Sequence, residues 1–172
     1  MKKILILNTG GTISMSEDQK TGKVGPTDSN PIGVGGNIFS YIGDLHVEDL
    51  YHLASPQITQ NEMLGIKNRI EKAVQEGYDG VVVTHGTDTL EETAYYLELT
   101  LDVNIPIVIT GAMRSSNEIG ADGLANLRSS LVVATDEESS DKGVLVVMND
   151  EVHTATYVTK THTTNVATFQ TP

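Results

Sequence analysis

Four stretches of this chain are short, continuous runs of branched apolar residues: Ile4–Asn8, Gly80–Thr84, Ile107–Thr110 and Val144–Met148. Runs of this kind, rather than alternating ones, mark strands buried on both faces, as in a parallel sheet covered by helices. Leu45–Leu53 is a weaker fifth candidate. Helical patterns lie between them. Thr59-Gln60-Asn61-Glu62 has the form of a capping box, followed by a stripe of Met63, Ile66, Ile70, Ala73 and Val74 and a stop at Gly77. Thr89-Leu90-Glu91-Glu92 repeats the device ahead of Leu90, Ala94, Leu97 and Leu101. A third helix is predicted from about Asp122 to Thr135, with Leu124, Leu127, Leu131 and Ala134 facing inward. Strands alternating with helices predict an α/β domain with right-handed crossovers, whose ligand site lies beyond the carboxyl ends of the strands.

The segments after the strands are therefore where chemistry is expected. After the first comes Thr9-Gly10-Gly11-Thr12. It lacks both the phosphate-loop and the dinucleotide patterns, and on spacing alone it reads as a Gly-Gly turn. After Gly80–Thr84 comes Thr84-His85-Gly86-Thr87-Asp88-Thr89, a polar cluster at a helix start that suits an anion or an oxyanion. Capping accounts for Asp88 or Thr89 but not for the whole cluster. Thr110-Gly111-Ala112-Met113-Arg114 and Asn149-Asp150-Glu151 follow the last two strands. Lys160 then lies amid the hydroxyls of Thr156–Thr164, where taken alone it reads as a solvated lysine on a polar edge strand. Ser14–Gly36 is a long loop rich in Gly, Ser, Asp, Asn and Pro.

Composition narrows the function classes. A formal charge of −12 argues against nucleic-acid and anionic-membrane partners. No cysteine is present, which removes thiol nucleophiles, disulfides and cysteine-ligated metals. No apolar run approaches the roughly 18 residues of a membrane span. His46, His52, His85, His153 and His162 show no metal-ligand spacing, and no G-x-S-x-G elbow occurs. Neither a metal nor a cofactor is expected. One domain, residues 1–172, with a cytoplasmic location, is the expectation.

Four motifs together resemble the L-asparaginase family: Thr9-Gly10-Gly11-Thr12-Ile13, His85-Gly86-Thr87-Asp88-Thr89, Ile109-Thr110-Gly111-Ala112-Met113-Arg114 and Val158-Thr159-Lys160-Thr161. They follow the family's order and approximate spacing. The resemblance implies a three-layer α/β/α, flavodoxin-like or Rossmann-like domain that hydrolyses the side-chain amide of L-asparagine to L-aspartate and ammonia. It places Thr12 at the nucleophile and Thr87, Asp88 and Lys160 in a second catalytic cluster, in which Lys160 helps Thr87 or a bound water shed a proton. The residues leave open which threonine attacks. Gly11, Ser55, Pro56, Gly86, Thr87, Asp88 and Ala112 fall at substrate-binding positions. Ser55 matches the residue for the α-carboxylate, Asp88 the residue for the α-ammonium, and the Ala112 carbonyl a group facing the leaving amide. The backbone N–H groups of Gly11-Thr12 and of the helix start near Thr89 are candidate oxyanion donors.

Three departures from the family pattern stand out. Pro56 occupies a position where many members carry a glutamine. No tyrosine lies between Thr12 and Tyr41, although the family's lid, here Ser14–Asn30 and expected to be mobile, usually supplies one. Members also continue for about as long again into a smaller C-terminal domain that completes the site of a neighbouring subunit. Weak or absent turnover alone, and a homo-oligomer with that domain as natural partner, are expected. The rival expectations are a non-catalytic amino-acid-binding or oligomerisation module, and an amidohydrolase preferring glutamine or a modified asparagine.

Overall fold

The computed structural model describes residues 1–18, 20–21, 24–26, 32–33 and 38–172. Its strands are β1 (Lys3–Gly10), β2 (Met15–Glu17), β3 (Val24–Pro26), β4 (Asp44–Leu53), β5 (Gly80–Thr84), β6 (Ile107–Thr110), β7 (Val144–Met148), β8 (Glu151–Thr154), β9 (Thr159–Lys160) and β10 (Phe169–Gln170). The helices are α1 (Gln60–Gln75), α2 (Leu90–Thr100) and α3 (Gly123–Thr135). Among the described residues none of these helices is long and apolar enough to cross a membrane.

Six strands form one sheet in the order β4-β1-β5-β6-β7-β8. All neighbours are parallel except β7 and β8. Alternate residues of the central strands feed two separate cores. Leu5, Leu7, Val81, Val83, Ile107 and Ile109 pack with Ile66, Ile70, Leu90 and Leu97 of α1 and α2. Ile4, Ile6, Val82, Val108 and Val147 pack with Leu127 and Leu131 of α3. The continuous apolar runs thus serve helices on both faces, and the three-layer α/β/α fold is as expected. With the parallel strands counted along the chain, their order is the flavodoxin-like 2-1-3-4-5, whose switch point lies between β1 and β5.

The first capping box forms as predicted. Thr59 accepts from the Asn61 N–H, and Glu62 accepts from the Thr59 N–H at 2.8 Å. Gly77, at φ +77°, ends α1 with Gly77 N donating to Val74 O and Tyr78 N to Ala73 O, a Schellman stop. The second box does not form. The Thr89 hydroxyl donates instead to the Ser55 carbonyl at 2.7 Å, and no side chain caps α2. Leu124, predicted inward, is 43% exposed. Asn126 faces in at that end of α3, because the Gly111 carbonyl and the Asn149 N–H, which it bonds at 3.0 and 2.9 Å, need partners there.

Three further features differ from the sequence reading. Asn149-Asp150 is a two-residue hairpin turn with φ of 52° and 61°, so Glu151 begins an antiparallel edge strand rather than a ligand loop. Lys160 sits on β9, which pairs with β10 outside the main sheet. The loop after Ile13 contains the β2–β3 pair. The mobility expected of Ser14–Asn30 falls in part outside the described residues, at positions 19, 22, 23 and 27–30.

At the carboxyl ends of β1 and β5 the backbones touch. Gly11 has φ 81° and ψ 176°, a region open to glycine alone. A Cβ there would lie 2.4 Å from Gly86 Cα and N. Gly77 has positive φ but nothing within 4 Å of such a Cβ. Gly11→Ala is therefore expected to destabilise by at least about 2 kcal/mol more than Gly77→Ala, which carries only the roughly 1 kcal/mol strain of its φ. Urea unfolding of the two variants checks this, and equal losses would contradict the contact.

The loop after β5 is pinned by His85, which is completely buried. Its Nδ1 donates to the Gly86 carbonyl at 2.8 Å, so Nε2 is left to accept from the Thr93 hydroxyl at 3.0 Å. Burial pushes the imidazole below its ordinary value of 6.5 and keeps it neutral. The unfolded chain takes up a proton at His85 below that pH and the folded chain does not. Stability is therefore expected to fall as pH drops from 6.5 to 5.5, by on the order of 1 kcal/mol. Denaturant midpoints across this window should show the loss, and His85→Gln should flatten it.

Candidate active site

The sequence at each strand end explains how the pocket is assembled. Asn8, near the end of β1, has a buried side chain. Its Nδ2 donates to Asp49 at 2.7 Å, while its Oδ1 accepts from Gly10 N at 3.1 Å and from the Thr84 hydroxyl at 3.0 Å. One amide thereby ties β1 to β4 and β5 and sets the Gly-Gly turn. Thr12 follows in a 3-10 turn, and the Ser14 hydroxyl donates back to Gly11 O at 3.0 Å. Among the described residues the Thr12 hydroxyl makes no hydrogen bond.

After β4, Ser55 and Pro56 form another 3-10 turn. Ser55 is buried, and a Cβ on Gly86 would lie 2.7 Å from Ser55 Cβ, so the turns after β4 and β5 are in contact. Ser55 Oγ accepts from Asp88 N at 3.2 Å, which leaves its own proton available to a ligand. β9 brings in the basic group. Lys160 Nζ donates to Thr87 Oγ1 at 3.0 Å and to Asp88 Oδ1 at 2.7 Å. The lysine side chain is 14% exposed and the Asp88 side chain 63% exposed. The solvated-lysine alternative thus fails, because the Lys160 stem is covered and its head is held.

These residues line one cavity of about 200 Å³: Gly11, Thr12, Ser55, Pro56, Gly86, Thr87, Asp88 and Lys160, from four separate stretches of chain. Ala112 is completely buried and does not line the cavity; its neighbour Met113 does. Met15, Ala54 and Thr163 also line it and were not singled out as site residues. Thr163 belongs to the hydroxyl-rich run around Lys160, the one signal that could have found it. Met15 is held by its carbonyl, which accepts from Ser116 N at 3.1 Å and Ser116 Oγ at 2.8 Å, joining the segment after Thr12 to the loop after β6.

The candidate oxyanion donors need correction. Gly11 N is committed to the Leu53 carbonyl at 3.1 Å, because β4 bends past the end of β1 there. Asp88 N is committed to Ser55. Of the Gly11-Thr12 pair, the Thr12 N–H remains. A hydroxyl with no partner among the described residues, a second hydroxyl in contact with an ammonium, and an exposed carboxylate share one pocket, a combination suited to acyl transfer on a small cationic or zwitterionic substrate.

Comparisons with known proteins identify the family. The sequence model of the family "Asparaginase, N-terminal" matches residues 3–172. The chain is 42% identical to L-asparaginase 2 of Escherichia coli (strain K12) over 99% of its own length and 49% of that protein's. It is 34% identical to the glutaminase-asparaginase of Pseudomonas fluorescens biotype A over 100% and 49% respectively. The crystal structure of a probable cytoplasmic L-asparaginase from Campylobacter jejuni superposes with a TM-score of 0.89 at 37% identity, covering all of this chain and 52% of that one. The chain spans about half the length of the curated relatives it matches. With the family model spanning all but its first two residues, the chain belongs to the asparaginase N-terminal family.

Proposed function

We propose that this domain carries the threonine-based part of an L-asparaginase site, which hydrolyses the side-chain amide of L-asparagine to L-aspartate and ammonia with neither metal nor cofactor. The observation that carries the reading is the contact of Lys160 Nζ with Thr87 Oγ1 and Asp88 Oδ1 inside the cavity that Thr12 lines. Thr12 is the better placed attacker, since its hydroxyl has no internal partner among the described residues. Its oxygen bonds to the amide carbon as its proton passes to a base, and the carbonyl oxygen becomes an oxyanion facing the Thr12 N–H. The C–N bond then breaks, the nitrogen takes up a proton and leaves as ammonia. Water, oriented at Thr87 with Lys160 within proton-transfer reach, splits the resulting ester and restores the threonine. Ser55 donates to the α-carboxylate, and Asp88 Oδ2 receives the α-ammonium. Cytoplasmic placement rests on the likeness to the Campylobacter jejuni protein described as cytoplasmic.

A second reading, preference for glutamine, has one observation in its favour. Pro56 lines the cavity and offers no side-chain donor to discriminate the shorter amide. The likeness to a glutaminase-asparaginase supports keeping it.

Ammonia release from L-asparagine and L-glutamine tests both readings. Turnover by this chain alone is expected to be weak, and a separately produced C-terminal half should raise it by about a hundredfold, the usual cost of a loosely assembled site. Thr12→Ala should reduce kcat by at least about a thousandfold while calorimetry still detects L-aspartate. Unchanged turnover in Thr12→Ala would overturn the threonine mechanism. Asp88 and Thr163 are exposed, so the reading includes a covering domain in a homo-oligomer. Light scattering is expected to find a dimer or larger; a monomer at all concentrations would contradict it.

A further inference from the structure

We propose that Glu91 is a positioning residue that clamps the strand carrying Lys160. Its catalytic consequence rests on the amidohydrolase reading above, whereas the clamp itself is read from the geometry. β9 has two residues and pairs only with two-residue β10, outside the main sheet. So short a ribbon is marginal by itself. A flexible four-carbon side chain on such a strand needs an external anchor to place its ammonium reproducibly.

Glu91, in the first turn of α2, supplies that anchor. Its Oε2 accepts from the Lys160 backbone N–H, and its Oε1 accepts from the Thr159 hydroxyl at 3.3 Å. Both carboxylate oxygens are thus spent on two consecutive residues of β9. At the other end of the lysine, Nζ bonds Thr87 and Asp88, which precede Glu91 by four and three residues. The segments 87–91 and 159–160 are joined in a closed ring, with Lys160 held by its backbone at Glu91 and by its tip at the catalytic pair. A negative charge is also favoured in the first turn of a helix, where Glu91 sits. An amide can replace the carboxylate: one oxygen accepts from the Lys160 N–H, and the NH2 donates to a reoriented Thr159 hydroxyl.

The test measures acetylation of individual lysines by acetic anhydride, read by mass spectrometry of peptides. Lys72, 66% exposed and paired with Glu76 only at 3.6 Å, is the solvent-accessible reference, and Lys67, 19% exposed and paired with Glu71, reports any general loosening of the fold. In the unmodified chain Lys160 should react about tenfold or more slowly than Lys72, since labelling requires local opening. Glu91→Ala should bring Lys160 close to the Lys72 rate with Lys67 unchanged, and Glu91→Gln should restore protection. A Lys160 rate unaffected by Glu91→Ala, or one rising only in step with Lys67, would overturn the clamp. In ammonia release, Glu91→Ala should lower kcat by about tenfold or more with little change in KM, and Glu91→Gln should recover it. Absence of ammonia release by the unmodified chain, even with a C-terminal half, would refute the amidohydrolase reading and leave the labelling result standing.

Discussion

The close approach of backbones at the carboxyl edge of the sheet is the constraint on which the rest depends. A Cβ on Gly10 would lie 2.3 Å from the Leu53 carbonyl oxygen, one on Gly11 2.4 Å from Gly86, one on Gly86 2.7 Å from Ser55 and one on Gly111 2.5 Å from the His85 carbonyl oxygen. Each pair joins the ends of different strands or the turns that follow them. Without a side chain at these four positions, the turns after β1, β4, β5 and β6 sit against one another, and the hydroxyls they carry reach a common pocket.

That closeness creates polar groups that need partners. The ends of the central strands accordingly carry Asn8, Thr9, Thr84 and Thr110, all buried and all hydrogen-bonded to neighbouring strands or turns. Asp122 does similar work one layer out. Its carboxylate accepts from the Met113 and Arg114 N–H groups, which holds the turn after β6 against the start of α3. The site floor is therefore a hydrogen-bonded polar lattice at the carboxyl edge of the sheet, between two apolar cores. Lys160 arrives from β9, outside the main sheet, which is why it needs separate anchoring.

Much of this was legible from local pattern. The four apolar runs became β1, β5, β6 and β7 because a strand buried on both faces has no polar positions to spare. The first capping box and its Gly77 stop formed because every group involved lies within one helix. The predictions that failed involve partners distant in sequence. Thr89 gave its hydroxyl to Ser55, Asn126 displaced Leu124 from the inward position, and Gly11 spent its N–H on Leu53. The Asn149-Asp150 turn was a local signal, and it was read as a ligand loop because it followed a strand.

The amino-acid sequence by itself determined the layer architecture, the five parallel strands, the motifs that resemble the asparaginase family and the residue types brought to the site. Those are properties of periodicity and of short spacing, and they survive without knowledge of the fold. Tertiary structure alone decided that Lys160 meets Thr87 and Asp88, that Ser55 braces the turn bearing them, and which backbone N–H groups remain unspent. Each is a contact between segments separated by tens of residues. A hydrogen-bonding group has several possible partners along the chain, and only the close packing of glycine turns at the sheet's edge selects among them.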